Sequence, residues 1–186
     1  YSVQTAEEEV ASAKLAAVEM LRTGTTCFRE AGTIYHLDEV FSELSKVGSR
    51  GRLGKWIWDL PPEPVIYRQS TDVAIENLNR QLERYNKPSE LLSAWSTLVG
   101  HTTCSDPLWR EAKALATKHD VGMSFHMSPA QIDPDGFVAE FGHRPIVHLA
   151  EIGVLDDRCA LTHMVRVNDA EVDILAESGA SVAHCP

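Results

Sequence analysis

The amino-acid sequence predicts an α/β fold in which parallel β-strands alternate with α-helices, and three observations support this prediction. Six short β-prone segments recur at intervals of roughly 25 to 40 residues, as expected for βα units. Amphipathic segments with helix start and stop signals separate most of these strands. No G-x-G-x-x-G or G-x-x-x-x-G-K-[S/T] pattern follows any predicted strand. Such units form a parallel sheet that is either doubly wound or closed into a barrel, and the commonest doubly wound nucleotide-binding folds are thereby excluded.

Capping signals define the predicted helices. Thr5 and Glu8 form a capping box at the start of the first helix, and Gly24 provides its stop. A later helix opens at Ser105, and Pro107 follows because proline suits the first helical turn. Further helices are predicted at residues 38–47, 70–85, 145–152 and 168–177.

The predicted strands are too few to close a barrel. They comprise residues 25–29, 53–60, 92–99, 121–127, 160–165 and 181–185, and Pro61-Pro62 ends the second of them. An eight-stranded barrel typically takes about 250 residues, whereas this chain has 186. We therefore expect residues 1–186 to be a single domain that forms part of a TIM (β/α)₈ barrel, about strands two to seven, truncated at both ends. A naturally short fold is the alternative interpretation.

Composition and charge exclude several classes of function. The net charge of −10 offers no basic face to a nucleic acid backbone. No run of about eighteen apolar residues could span a membrane, and the polar N-terminal residues do not resemble a secretory signal. The four cysteines include no C-x-x-C pair, which favours reduced thiols in a cytoplasmic protein. The same spacing excludes the zinc deaminases that need H-x-E followed by P-C-x-x-C.

The predicted strand at residues 121–127 carries the first candidate site residue. Bulky apolar side chains alternate there with Gly122, Ser124 and His126. In a barrel the bulky face meets the helices, so His126 would project inward at the C-terminal end of the strand, where barrel active sites form. A structural histidine that forms hydrogen bonds within a core is the alternative interpretation.

Two further predicted strands also carry a histidine near the C-terminal end, namely His163 and His184. Three imidazoles around one mouth are the kind of cluster that holds zinc or iron. His163 is alternatively suited to hold and polarise a water molecule. The remaining histidines in or beside predicted helices are expected on the surface: His36, His119, His143 and His148.

Three segments carry patterns that are specific when taken together. The densest, Gly142 to Pro186, contains G-x-x-P-x-x-x-L-x-x-x-G-x-L, D-x-E-x-x-x-L-A and V-A-H-C-P. The others are L-R-T-G-T-T at Leu21 to Thr26 and the stretch from Gly100 to Asp106. The chain thereby resembles the amidohydrolase superfamily, in the branch of cytosine, guanine and S-adenosylhomocysteine deaminases and triazine hydrolases.

This resemblance implies a hydrolase site built on one divalent ion, zinc, with iron as the alternative. His126 matches the ligand on strand five, and His163 matches the strand-six histidine that contacts the attacking water or the substrate. His101 and His184 are expected to bind the substrate or to support the ligands. The family's H-x-H pair on strand one and its strand-eight aspartate have no counterpart here. We expect them outside this chain, which by itself should bind metal poorly and be inactive.

The implied function is cleavage of a C–N bond in a small cyclic substrate, by deamination or by amide or amidine hydrolysis. The expected partner is a small molecule rather than a nucleic acid or a membrane, and a homo-oligomer of a longer protein is left open. One position departs from the family, whose carboxylate three residues after the strand-five histidine is Pro129 here. Proline cannot carry a proton. Either a downstream acid replaces this carboxylate, namely Asp133, Asp135 or Glu140, or the substrate needs no ring protonation. A catalytically degenerate barrel and a non-enzymatic α/β scaffold are the alternative functions.

Overall fold

Parallel strands form the sheet at the centre of the protein. A computed structural model describes residues 3–60 and 69–186. The strands of these residues fall into two groups, and within each group they pair in sequential order and in parallel. The predicted strand end at Pro61-Pro62 lies outside the described residues. The strands are β1 Cys27–Arg29, β2 Arg50–Leu53, β3 Leu92–Ala94, β4 Ser96–Gly100, β5 Met123–Met127, β6 Cys159–His163 and β7 Ser181–His184.

β3 and β4 are two halves of the single strand that the sequence predicts at residues 92–99. Trp95 separates them, but its amide N–H still donates to the Leu53 carbonyl oxygen of β2 at 3.1 Å. The next amide, that of Ser96, donates to the Gly122 carbonyl oxygen at 3.0 Å. The segment therefore lies between β2 and β5, which makes the strand order sequential throughout and confirms the predicted parallel α/β architecture.

Helices connect the strands, and their predicted caps are present. The Thr5 hydroxyl accepts the Glu8 amide N–H at 3.2 Å, while the Glu8 carboxylate accepts the Thr5 amide N–H at 2.8 Å. No helix within the described ranges is both long and apolar enough to cross a membrane. The helices are α1 Ala6–Arg22, α2 Leu37–Leu44, α3 Thr71–Tyr85, α4 Asp106–Lys118, α5 Ile132–Phe141, α6 Pro145–Glu151 and α7 Asp169–Ser178.

The second strand lies earlier than predicted. Its ladder with β1 and β3 covers residues 50–53 rather than 53–60, because pairing with neighbours, not the bulk of the side chains, selects the strand. The following residues remain close to the chain before α2, since the Trp56 amide N–H donates to the Ile34 carbonyl oxygen at 2.9 Å. The prediction of a strand at 53–60 was therefore wrong in position.

The outward face of the sheet packs against the helices and forms the main core. Met123, Phe125 and Met127 are fully buried, as the alternation in the sequence predicts. Phe125 meets Trp109 of α4 edge to face, with ring centroids 4.9 Å apart. Burying an apolar side chain of this size contributes about 1.5–3 kcal/mol. This layer stabilises β5 and leaves its opposite face free for polar residues.

His148 contradicts the prediction that the histidines outside the strands lie on the surface. It is 6% exposed, and its Nε2 lies 2.8 Å from Asp106 Oδ1. Its ring also stacks on Phe141, with centroids 4.0 Å apart. The Asp106 carboxylate forms a hydrogen bond with the imidazole, and the Phe141 ring packs on it. The free-energy cost of burying a polar ring is thereby offset. Of the other three histidines, His143 is exposed, and His36 and His119 are half-buried.

Arg29 of β1 reaches across the concave side of the sheet. Its guanidinium Nη1 donates to Ser124 Oγ of β5 at 3.1 Å and to the Ala160 carbonyl oxygen of β6. A side chain of the first strand can contact the fifth and sixth only if the sheet curls like a barrel wall. Burial lowers the pKa of Arg29 from its ordinary value. The guanidinium lies on the concave side of the sheet, below the C-terminal ends of β5 and β6.

Gly100 permits a close approach between β4 and β5. Its φ is +87°, and a Cβ atom there would lie 2.1 Å from the His126 carbonyl oxygen. The register of the two strands shifts between Thr97 and Gly100, which brings the end of β4 against the backbone of β5. Only glycine combines this dihedral angle with this contact.

Replacing Gly100 with alanine should therefore lower the free energy of unfolding by more than the roughly 1–2 kcal/mol that a left-handed conformation costs, since the methyl group also collides with backbone. Gly153→Ala is the matched control, because its φ is +75° and its Cβ would meet nothing within 4 Å. Urea unfolding of both variants measures the difference. Equal losses would show that β4 and β5 do not approach each other in this way.

Candidate active site

Three histidine rings lie together where β4, β5 and β6 end. His126 is on β5, His163 ends β6, and His101 begins the 3₁₀ turn His101–Thr103 after β4. The ring centroids are 5.6 Å apart for His126 and His163, 5.7 Å for His101 and His126, and 6.5 Å for His101 and His163. The structure thus brings together the predicted ligand, the predicted catalytic residue and one of the two predicted supporting residues.

The His126 ring is neutral and has a defined tautomer. Its Nδ1 lies 2.8 Å from the Val99 carbonyl oxygen, and since a carbonyl can only accept, Nδ1 carries the proton. Nε2 therefore keeps its lone pair, which is the form of imidazole that binds metals. Burial is the main cause that lowers the pKa of His126 to about 4, and the positive charge of Arg29 acts in the same direction.

His163 reaches the cluster through an unusual backbone conformation. In the ladder it pairs with Met127, whose side chain faces the helices, so strict alternation would turn His163 outward as well. Its φ of +82°, followed by +53° at Met164, redirects the chain. The His163 Nδ1–H donates to the Cys185 carbonyl oxygen at 3.4 Å, so in the neutral ring Nε2 keeps its lone pair.

His101 is held by a buried carboxylate. Its Nδ1 lies 3.1 Å from Asp133 Oδ2, and the same oxygen accepts the Ser128 amide N–H at 2.6 Å. Asp133 lies in the first turn of α5 and is 5% exposed. The carboxylate therefore joins the turn after β4 to the turn after β5, and all three rings of the cluster are held through Nδ1.

His184 lies beside the cluster rather than within it. It pairs with His163 in the ladder between β6 and β7, and its side chain is exposed. Its Nδ1–H donates to the His163 carbonyl oxygen at 3.0 Å. The His184 ring thus contacts the backbone of His163.

The cluster fits part of a metal site. A zinc ion binds an imidazole nitrogen at about 2.0–2.1 Å, and the ring centroids of His126 and His163, 5.6 Å apart, leave room for such an ion on His126 and a water molecule that faces His163. Within residues 3–60 and 69–186, however, no three histidine, cysteine, aspartate or glutamate side chains converge closely enough to hold an ion alone. The donor atoms are of the right kind, and further ligands are needed.

Nearly the whole chain matches one protein family. The match covers residues 3–186, and the family is described as the amidohydrolase family. The chain belongs to the amidohydrolase family. This result confirms the resemblance that the sequence motifs indicate.

Two relatives of this chain are named as deaminases. The 5-methylthioadenosine/S-adenosylhomocysteine deaminases of Halobacterium salinarum and Aquifex aeolicus are 31% and 32% identical to this amidohydrolase over 179 and 183 residues. These alignments cover 95% and 94% of the chain but 40% and 39% of the relatives. The chain therefore spans about 40% of the length of the curated relatives it matches.

Two solved structures place the amidohydrolase chain in a barrel. A zinc-bound adenosine deaminase from Xanthomonas campestris has a TM-score of 0.85 at 28% identity, covering 100% of this chain and 41% of that one. An atrazine chlorohydrolase from Arthrobacter aurescens TC1, complexed with zinc and atraton, has a TM-score of 0.88 at 18% identity, covering 97% and 43%. The second likeness shows the fold alone. Together they confirm that the chain forms part of a TIM barrel.

The sequence prediction missed α5 and hence the position of Asp133. Gly136 and Pro134 obscured the helix, although Phe137 and Phe141 are one turn apart and Gly142 ends the helix with a φ of +75°. That spacing and stop were the available signals. Three downstream acids could replace a carboxylate at position 129. Asp133 is buried beside the cluster, whereas Asp135 and Glu140 are exposed.

The low pKa of His126 predicts a pH dependence of stability in the metal-free protein. Between pH about 4 and 6.5 the unfolded chain binds a proton that the folded chain excludes, so the free energy of unfolding falls as pH falls through this range. At about 1.36 kcal/mol per pKa unit, the loss is on the order of 3 kcal/mol. His126→Gln should flatten this part of the curve in urea titrations.

His143→Gln is the control for that measurement, because His143 is exposed and makes only a 3.6 Å ion pair with Glu151. This variant should retain the slope of the parent protein. The same slope in the His126 variant would mean that another group titrates in this range.

Proposed function

We propose that the protein containing this chain is a metal-dependent hydrolase that cleaves a C–N bond in a small cyclic substrate. The carrying observation is the arrangement of His101, His126 and His163, whose rings meet at one mouth and are all held through Nδ1. A structural core histidine has no need of two imidazole neighbours that are likewise held through Nδ1. Membership of the amidohydrolase family supports the same conclusion.

Each ring has a distinct role in the proposal. His126 would hold the ion through Nε2, since its pKa keeps the imidazole unprotonated at neutral pH. When bound, a divalent ion, zinc in the first instance, would supply the Lewis acidity that makes water a nucleophile at neutral pH. His163 would orient that water or the reacting group of the substrate through its own Nε2. The aspartate and the H-x-H pair of the family would come from other parts of a longer protein.

The proposed substrate class is an aminated nitrogen heterocycle, with adenosine derivatives as the first compounds to test. The names of the Halobacterium and Aquifex relatives support this choice. The proposal includes the release of ammonia as the amine leaves. Loops after the strands, rather than the histidines, would select among such substrates.

A catalytically degenerate barrel is the second candidate, and Pro129 is the observation that favours it. Proline stands immediately after Ser128, where a side-chain acid could otherwise reach the same mouth. The retained tautomers of three histidines favour the active enzyme instead. A non-enzymatic scaffold explains neither the clustering nor the unusual φ of His163.

Alanine substitutions should separate the two central histidines in the complete protein. His126→Ala should remove the ion and abolish turnover, since a ligand is lost. His163→Ala should keep most of the ion and slow the chemical step by about 10²–10⁴-fold if it acts in proton transfer. Metal analysis and steady-state kinetics measure both effects. The exposed His143→Ala is the control, and retention of the ion in the His126 variant would contradict the assignment.

Pro129→Glu tests the departure from the family pattern. Metal content should remain unchanged, because proline is no ligand, and deamination of a nitrogen heterocycle should stay equal or rise as a proton carrier is restored. Metal analysis and ammonia release are the measurements. A large loss of metal would show that the site has been assigned to the wrong residues.

A further inference from the structure

We infer that Asp133 is a positioning residue that holds the His101 ring in one tautomer, with the proton on Nδ1 and the lone pair on Nε2. The consequence for turnover rests on the proposed function. The tautomer itself rests only on the geometry around the carboxylate.

The geometry determines which ring nitrogen carries the proton. Asp133 Oδ2 faces His101 Nδ1 at 3.1 Å and also accepts the Ser128 amide N–H at 2.6 Å. A carboxylate oxygen that already accepts one hydrogen bond can pair with a ring nitrogen only by accepting a second. Nδ1 must therefore be the donor, and in the neutral ring Nε2 is the acceptor.

The position of Asp133 makes this constraint strong. The side chain is 5% exposed, so water does not compete effectively for its oxygens, and an unpaired carboxylate there would be costly. It belongs to the first turn of a helix, where the helix dipole favours a negative charge. His101, for its part, has a φ of +55°, a conformation that needs support from its surroundings.

The acceptor at Nε2 defines what His101 can bind. The ring lies 5.7 Å from that of His126 and 6.5 Å from that of His163, nearly parallel to both, at 27° and 28°. An imidazole in this tautomer accepts a hydrogen bond from a substrate N–H or O–H group beside the reacting centre. Asp133 thus acts on the substrate only through His101.

The first test reads the tautomer directly. The complete protein is labelled with ¹⁵N-histidine, and side-chain ¹H–¹⁵N correlations are recorded at pH 8, with His101→Ala used to assign the His101 signals. The expected result is Nδ1–H in the parent protein and in Asp133→Asn, whose amide oxygen can accept both bonds. Asp133→Ala should shift the ring towards Nε2–H, the form favoured by free imidazole. Nε2–H in the parent protein would overturn the inference, whether or not the protein has activity.

The second test is a double-mutant cycle on turnover. Asp133→Ala and His101→Ala should each lower kcat by about 10²-fold or more, with smaller changes in KM, and the double variant should be no worse than His101→Ala. Asp133→Asn should remain within about tenfold of the parent. Additive losses in the double variant would show that Asp133 acts through Ser128 and the fold, and would contradict the inference.

The matched control is Asp135→Ala, on the same helix. Its carboxylate is exposed and accepts the Gln131 side-chain N–H at 2.9 Å, so the His101 signals and kcat should match those of the parent. A parent protein that is inactive on all C–N substrates would count against the proposed function alone, because the tautomer measurement does not depend on turnover. A tautomer change in the Asp135 variant would count against the assignment to Asp133.

Discussion

The hydrogen bonds that converge on Ser128 and Asp133 are the constraint on which the candidate site depends. The Ser128 amide N–H donates to Asp133. The Ser128 carbonyl oxygen accepts the amide N–H groups of Val165 and Arg166, both at 3.0 Å. Asp133 also holds His101. The turns after β4, β5 and β6 are thereby joined by buried polar groups, each of which is costly to leave unpaired. The three histidines stay together because these turns cannot move independently.

Stability and chemistry are divided between the two faces of the sheet. The outward side chains of β5 are apolar and pack on α4, as Phe125 does on Trp109. The inward ones are small or polar, and Ser124 accepts a hydrogen bond from Arg29. Because successive side chains of a strand point to opposite faces, the core can be optimised without changing the site. Substitutions on the outward face are therefore expected to act on folding and those on the inward face on chemistry.

The unusual conformation at the end of β6 is compensated by its neighbours. His163 and Met164 both have positive φ, which costs non-glycine residues of order 1–3 kcal/mol each. The Met164 amide donates to the Met127 carbonyl oxygen at 3.0 Å, and the Met164 side chain is buried in the core. These contacts offset the backbone cost, and the result is an imidazole turned towards His126. Conformational strain of this kind is commonly retained where a side chain must face a reaction centre.

The sequence by itself determined the alternation of helices and strands apart from α5, most helix caps and the inward face of β5. These features depend on local periodicity and on capping residues such as Thr5 and Ser105, which act over three or four positions. It also indicated His126 and His163, because both lie near the C-terminal end of a predicted strand. Motif resemblance then identified the family.

Only the tertiary structure decided the remaining features. The position of β2 depends on its ladder with β1 and β3, and the burial of His148 depends on Asp106, which is 42 positions away in the chain. The orientation of His163 contradicts simple alternation, and the bond between His101 and Asp133 joins a turn to a helix 32 residues later. Each of these depends on contacts between distant segments, which local periodicity does not encode because the chain must fold before the partners meet.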